Sequence, residues 1–270
     1  HLASFLKAQG VAKGDRISGL LPRTSELIIT ILAAWRIGAV YQPLFTAFGS
    51  KAIEHRIKLA NSKLVVTDLG NRHKLSEMTD CPTSVTVHVK QEAALYPQDL
   101  SFRTELNSQS ETCELVMLNI NDPFLLMFTS GTTGPAKPLH VPLKALIAFG
   151  GYMQDAIGLT AKDAFWNIAD PGWAYGLYYG ITGPLLLGHA TLFYEGGFST
   201  ESVCQIVKEY GITNLAGAPT AYRMMMAADP VQMAELRGKL RVVSSAGEPL
   251  NPEVIRWFEQ VLDVPIYDHY

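Results

Sequence analysis

The chain has 270 residues, 48% of them apolar and 17% charged, the balance of a folded globular protein with a sizeable core and not of a disordered one. Its formal net charge is −3 with no block of like charge, which argues against a nucleic-acid surface and leaves any anionic ligand to be held locally, by a loop or a helix end. Three cysteines (Cys81, Cys113, Cys204) form no metal-binding pattern and read as reduced thiols of a cytoplasmic protein. The longest apolar stretch, Leu27 to Tyr41, is broken by Arg36 and too short to cross a bilayer, so it reads as a buried helix.

In chain order, helix and strand signals alternate. Leu2 to Gln9 is helical and Arg16 to Leu21 reads as a strand. Thr24 or Ser25 caps a helix that Gly38 stops, and Ala39 to Pro43 is extended. Ser50 caps a helix through about Ala60, and Lys63 to Asp68 is a short buried strand. This βαβα succession predicts an α/β fold with mainly parallel sheets flanked by helices. Val85 to Val89 alternates like a strand, and Pro97 to Glu111 looks like a surface connection. The strand Phe124 to Phe128 runs into a glycine-rich loop, followed by a helix near Leu143 to Ile157 and a glycine-rich stretch from Asp170 to Gly188. Ala190 to Tyr194 reads as a strand, Thr200 caps the helix Glu201 to Tyr210, and Asn214 to Ala216 is strand-like. Thr220 opens a helix, Leu240 to Ser244 is a strand, and Val264 to Tyr267 is strand-like. A soft boundary near residue 140 divides the chain into two α/β subdomains, 1–140 and 141–270. Both ends read as cut, so the chain is expected to be an internal fragment of a longer protein.

The strongest chemical signal is Thr129-Ser130-Gly131-Thr132-Thr133-Gly134-Pro135-Ala136-Lys137. Glycines let backbone N–H groups turn toward an anion, hydroxyls add donors, and Lys137 supplies a charge, a composition that suits a triphosphate. In the P-loop, GxxxxGK[ST], Lys follows Gly directly; here Pro135 and Ala136 intervene, so that motif fails. A flexible Ser/Thr/Gly linker is the bland alternative, but a linker rarely sits directly behind a buried strand such as Leu125 to Phe128.

Phe128 to Gly134 with Lys137 resembles the phosphate-binding signature of the adenylate-forming superfamily: acyl-CoA synthetases, adenylation domains of peptide synthetases and luciferases. The chain departs from that signature at Ala136 and Pro138. Further segments come in family order. Ala218-Pro219-Thr220-Ala221 is similar to the substrate-side segment, with Gly217 and Ala218 leaving room for a ligand to approach the backbone; a plain helix cap is the alternative. Ser245-Ala246-Gly247-Glu248-Pro249 looks like the adenine-binding turn, the alternative being an ordinary strand-to-helix turn. Asp268-His269-Tyr270 resembles the start of the segment that forms the opposite face of the adenine slot. Asp170 to Gly176 is similar to the Trp-containing segment of short- and medium-chain, acetyl-CoA synthetase-like enzymes, in which Trp173 borders the acyl chain; a buried core Trp is the alternative.

The resemblance implies an acid–thiol ligase that uses ATP, Mg²⁺ and CoA. A carboxylate attacks the α-phosphorus to give an acyl-adenylate, and CoA then displaces AMP. On this reading Thr129, Ser130, Gly131, Thr132, Thr133, Gly134 and Lys137 cradle the phosphates. Gly247, Glu248, Pro249, Asp268, His269 and Tyr270 hold adenine, and Trp173 and Gly217 border the acid. Neither a metal ligand nor a catalytic residue is assigned within the chain, because the family's metal-binding Glu and the Lys of its small C-terminal domain fall outside it. The fragment alone is therefore expected to be inactive. The competing readings are a nucleotide-binding module without catalysis and a P-loop-like ATPase or phosphotransferase.

Overall fold

The computed structural model describes residues 1–87, 96–129 and 136–269. The chain divides into two compact units, His1–Ala145 and Leu146–Tyr270, each built on its own sheet.

The first unit alternates α1 (Leu2–Ala8), β1 (Arg16–Leu20), α2 (Ser25–Arg36), β2 (Val40–Pro43), α3 (Ser50–Ala60), β3 (Ser62–Asp68) and α4 (Leu69–Arg72). It continues with β4 (Thr83–Val87), β5 (Leu100–Ser101), α5 (Phe102–Asn107), β6 (Pro123–Thr129) and β7 (Lys137–Pro142). The strands lie in the order β5-β4-β3-β1-β2-β6-β7, all parallel except β7, which runs antiparallel to β6. Near-continuous apolar runs such as Leu64-Val65-Val66 and Phe124-Leu125-Leu126-Met127 are buried, as strands covered by helices on both faces require. Three neighbouring strands are also tied by polar side chains. The buried hydroxyls of Ser18 and Ser62 both donate to Gln42 Oε1, at 2.7 and 2.9 Å.

Several sequence expectations change here. The apolar stretch from Leu27 is an amphipathic helix, with Leu27, Ile31 and Ala34 buried but Ile29 and Leu32 exposed, and it ends before β2. Gly49 is the residue before α3, and Ser50 is its first helical residue. The segment expected as a surface connection forms β5 and α5, anchored by buried Phe102. The strand expected at Val85 to Val89 is β4, Thr83–Val87; positions 88 and 89 lie outside the described residues.

The second unit comprises α6 (Ala145–Gly151), β8 (Phe165–Asn167), α7 (Ala174–Leu177), α8 (Gly183–Leu186), α9 (Thr200–Glu209), β9 (Asn214–Gly217), α10 (Pro219–Met226), α11 (Pro230–Ala234), β10 (Val242–Ser245), α12 (Pro252–Trp257) and β11 (Ile266–Asp268). Its sheet is wholly parallel, in the order β11-β10-β9-β8. The core gathers Leu215 and Val243 from the strands with Val207, Tyr222, Met225 and Phe258 from the helices. The helix expected to Ile157 widens into a π-helical turn at Tyr152–Ala156, and a second π turn, Tyr178–Thr182, joins α7 to α8 within the glycine-rich stretch. The cap of α9 is Ser199, whose hydroxyl accepts from Ser202 N at 3.1 Å, and Thr200 is already helical.

Ala190 to Tyr194, expected as a strand, joins no ladder. Its side chains bond elsewhere: Thr191 Oγ1 donates to Gly180 O, and Tyr194 Oη meets Ser202 Oγ at 3.0 Å. It lines a cavity of about 560 Å³ with Phe165 of β8 and Ile206 of α9. No helix among the described residues is long and apolar enough to cross a membrane.

Each unit carries an ion pair built on a buried carboxylate. In the first, Arg72 donates to Asp99 through Nε (2.5 Å) and Nη2 (2.8 Å), Thr86 Oγ1 donates to the same carboxylate, and the guanidinium lies 4.6 Å from the Tyr96 ring. Removing one partner strands a buried charge. Asp99→Ala is expected to lower unfolding stability by about 3–5 kcal/mol in a urea titration.

In the second unit Asp163 has a buried carboxylate that receives Arg241 Nε (3.0 Å) and Nη2 (2.6 Å), Thr213 Oγ1 (2.8 Å) and Thr160 N (2.8 Å). Burial by itself would raise this carboxyl; the Arg241 hydrogen bonds, aided by the Thr160 amide and the Thr213 hydroxyl, hold it well below the usual range. A depressed folded-state pKa gives stability that is present above the unfolded value and lost as pH falls. Unfolding monitored from pH 6 downward should show stability falling below about pH 4, and Asp163→Asn should flatten that fall.

Candidate functional site

Parallel pairing sets where the candidate residues stand. Asn167 of β8 pairs with Ala216, Ala216 with Ser244, and Ser244 with Tyr267, and one step on Gly217 pairs with Ser245 and Ser245 with Asp268. All four strands therefore end along one edge, and the chain leaves each of them at the carboxyl side, where ligands of open α/β sheets bind. The four exits are Ile168–Trp173, Ala218–Thr220, Ala246–Pro249 and His269. Backbone bonds continue the ladder past its end, from Ile168 N to Ala216 O (2.8 Å) and from His269 N to Ser245 O (2.7 Å). Gly217, Gly247, Glu248, Pro249, Asp268, His269 and Trp173 are thus brought to one edge of the second unit. Tyr270 lies outside the described residues.

Each residue has its own local reason. Gly247 has φ +92° and open space where a side chain would be, so its backbone demands glycine without crowding a ligand. Glu248 is held in place: the Thr220 hydroxyl donates to both of its oxygens (2.9 and 2.8 Å) and Arg223 Nη2 donates at 2.9 Å. The Thr220 hydrogen bond, seconded by Arg223, lowers the Glu248 pKa. Glu248 therefore bolts the turn after β10 to the start of α10. Thr220 and Arg223 were not singled out from sequence as site residues; their i, i+3 spacing on a helix was the available signal.

Gly217 works differently from the sequence expectation. A Cβ there would come 2.6 Å from Ile168 Cγ1 and 3.1 Å from the Tyr222 hydroxyl, so the room it leaves is filled by protein. Trp173 is 41% exposed, which removes the alternative that it is a core residue; Trp166 fills that role. Trp173 precedes α7, its amide donating to Asp170 O (3.0 Å), while Asp170 Oδ1 accepts from Gly172 N (2.7 Å). Asp268 is exposed. His269 is half-buried, its ring meeting Tyr152 edge-on at 5.2 Å, and burial lowers its pKa.

In the first unit Thr129 ends β6 and Lys137 begins β7, and the two are paired across the antiparallel ladder. Ser130, Gly131, Thr132, Thr133 and Gly134 lie outside the described residues; the strands on either side of them are antiparallel neighbours whose near ends are Thr129 and Lys137. A P-loop leads from a strand into a helix; here a strand comes next, which disfavours the phosphotransferase reading. The base of this β6–β7 hairpin carries two further groups that sequence reasoning passed over. His55 Nε2 meets Ala136 O at 3.4 Å, and the Arg56 guanidinium lies 5.6 Å from the Phe128 ring and 4.1 Å from that of Phe48. Among the described residues no group of three His, Cys, Asp or Glu stands together as a metal site.

The architecture is that of an α/β enzyme fold with ligand-type turns at the carboxyl edge of a parallel sheet. The profile of the AMP-binding enzyme family matches residues 1–270, and the chain belongs to that family. It is 36% identical to an acetyl-coenzyme A synthetase of Bacillus subtilis and 32% identical to one of Marinomonas sp., in each case over 96% of this chain. A crystal structure of Brucella canis acyl-CoA synthetase superposes over the whole chain with TM-score 0.96 at 56% identity. The chain spans 45% and 43% of the lengths of the two acetyl-coenzyme A synthetases and 49% of the Brucella chain.

Replacing Gly247 with Ala forces a side chain into left-handed backbone. Stability is expected to fall by about 1–2 kcal/mol, read from the urea unfolding midpoint.

Proposed function

We propose that this chain is the nucleotide- and acid-binding part of an ATP-dependent acyl-CoA synthetase, which joins a carboxylic acid to CoA through an acyl-adenylate with release of pyrophosphate and AMP. The observation that carries the reading is the alignment of the Gly217, Gly247 and Asp268 turns along the carboxyl edge of one parallel sheet. The acetyl- and acyl-CoA synthetase relatives support it.

In this reading Gly247, Glu248 and Pro249, opposite Asp268, His269 and Tyr270, hold adenine, and Trp173 and the Gly217 strand end border the acid. Gly247 and Pro249 give the adenine wall a fixed backbone, and the Thr220–Arg223 clamp keeps Glu248 from drifting into the slot. The segment from Thr129 to Lys137 takes the β- and γ-phosphates, with Ser130, Gly131, Thr132, Thr133 and Gly134 as donors and Lys137 as the cation. Attack of a carboxylate on a phosphate joins two anions, so what these residues supply is charge neutralisation and orientation. Mg²⁺ enters on the phosphates of ATP, in keeping with its preference for phosphate oxygens and water. CoA is the second substrate. Cys81, Cys113 and Cys204 are free thiols, which accords with a cytoplasmic setting.

The test is pyrophosphate release by the full-length protein with ATP and a panel of short carboxylic acids. Acid-dependent pyrophosphate is expected, and Lys137→Ala should lower kcat/KM for ATP by roughly a hundredfold. Release of inorganic phosphate in place of pyrophosphate, or turnover indifferent to added acid, overturns the reading.

A further inference from the structure

The turn that follows β10 is thinly held. The chain leaves the core at Ala246 and re-enters it at Leu250, both buried, with Gly247, Glu248 and Pro249 exposed between them. Ladder pairing ends at Ser245, and the next amide, Ala246 N, reaches Gly217 O only at 3.4 Å. Among the described residues, Gly247, Glu248 and Pro249 make no backbone hydrogen bond. Nothing lies within 4 Å of where a Gly247 side chain would stand, so packing does not brace the backbone on that side either.

What holds the turn is the Glu248 side chain. The Thr220 hydroxyl reaches both carboxylate oxygens, at 2.9 and 2.8 Å. A single nitrogen of Arg223, Nη2, donates both to Glu248 (2.9 Å) and to the Thr220 hydroxyl (2.6 Å), which closes a ring of three side chains. The far end of this tether is fixed. Buried Tyr222 and Met225 hold α10 in the core, and the Tyr222 hydroxyl donates to Ser244 O at 2.7 Å. The Arg223 and Glu248 side chains are 44% and 42% exposed, and ion pairs so exposed add little to the stability of a fold. A tether that runs from a fixed helix to a loose turn sets geometry instead, and a binding wall displaced by about 1 Å is costly.

We propose that Thr220 and Arg223 are positioning residues for the nucleotide: acting through Glu248, they fix the place of the turn that forms one wall of the adenine slot. This rests on the synthetase reading and adds to it two residues of α10 that act without touching the base. When either contact is lost the turn samples other positions, and the nucleotide must order it on binding. The loss therefore falls on the affinity for ATP and not on the chemical step.

The experiment uses the full-length protein with an acid that it activates, measuring pyrophosphate release while ATP and acid are varied in turn, and thermal melting without ligand. Arg223→Ala should raise KM for ATP by roughly fivefold to tenfold, while kcat and KM for the acid change by less than about twofold. Arg223→Lys should recover most of the loss, because one nitrogen serves both bonds and an ammonium carries three donors. Thr220→Val, which removes the hydroxyl and keeps the shape, should also raise KM for ATP, and the variants should melt near the wild-type temperature. An unchanged KM for ATP in Arg223→Ala and Thr220→Val overturns the proposal. A lowered Tm with KM for ATP and for the acid raised alike shows that the ring serves the fold, and does the same. Either result leaves the synthetase reading standing so long as the wild-type protein releases pyrophosphate; release with no acid at all defeats both.

Discussion

The candidate site depends on the hydrogen-bonded register of one four-stranded parallel sheet. Because Gly217, Ser245 and Asp268 are direct neighbours across β9, β10 and β11, three turns separated by tens of residues in sequence start at the same level. A slip of one residue in any of these pairings would turn alternate side chains to the wrong face and stagger the turns. The contacts of the buried Asp163 carboxylate with Arg241 and Thr213 sit where β8 begins and β10 is entered, and so guard that register from the amino end.

The first unit meets its task with different means. Its candidate phosphate segment leads into a strand and not into a helix, so no helix dipole is available at its far end; it is pinned instead by antiparallel pairing of Thr129 with Lys137. That pairing fixes where the segment leaves and re-enters the sheet and holds the lysine opposite the last residue of β6. Arg56, lying against Phe48 and Phe128, adds a second cation close to the base of the hairpin.

The aromatic cluster beside Trp173 is built from irregular helix. Two π turns, at Tyr152–Ala156 and Tyr178–Thr182, each begin with a tyrosine, and such widened turns re-aim side chains that a regular α-helix would place elsewhere. The result is a set of ring faces packed on one another and, through Tyr152, on His269.

Several features were legible in the residues alone: the α/β class, the parallel strands with apolar centres, the strand before the glycine-rich loop, and the order of the Gly217, Gly247 and Asp268 segments. These are local properties, written in hydrophobic period, glycine and proline placement, and strand length. Contacts between distant segments settled the rest. The strand status of Lys137–Pro142 depends on pairing with β6, and the coil at Ala190 to Tyr194 depends on side-chain bonds to Gly180 and Ser202; neither is written in the residues' own propensities. The filling of Gly217's space by Ile168, the commitment of Glu248 to Thr220 and Arg223, and the exposure of Trp173 in place of Trp166 likewise arise between positions apart in the chain. A residue's type states which bonds it can make, whereas folding sets which partner stands within reach.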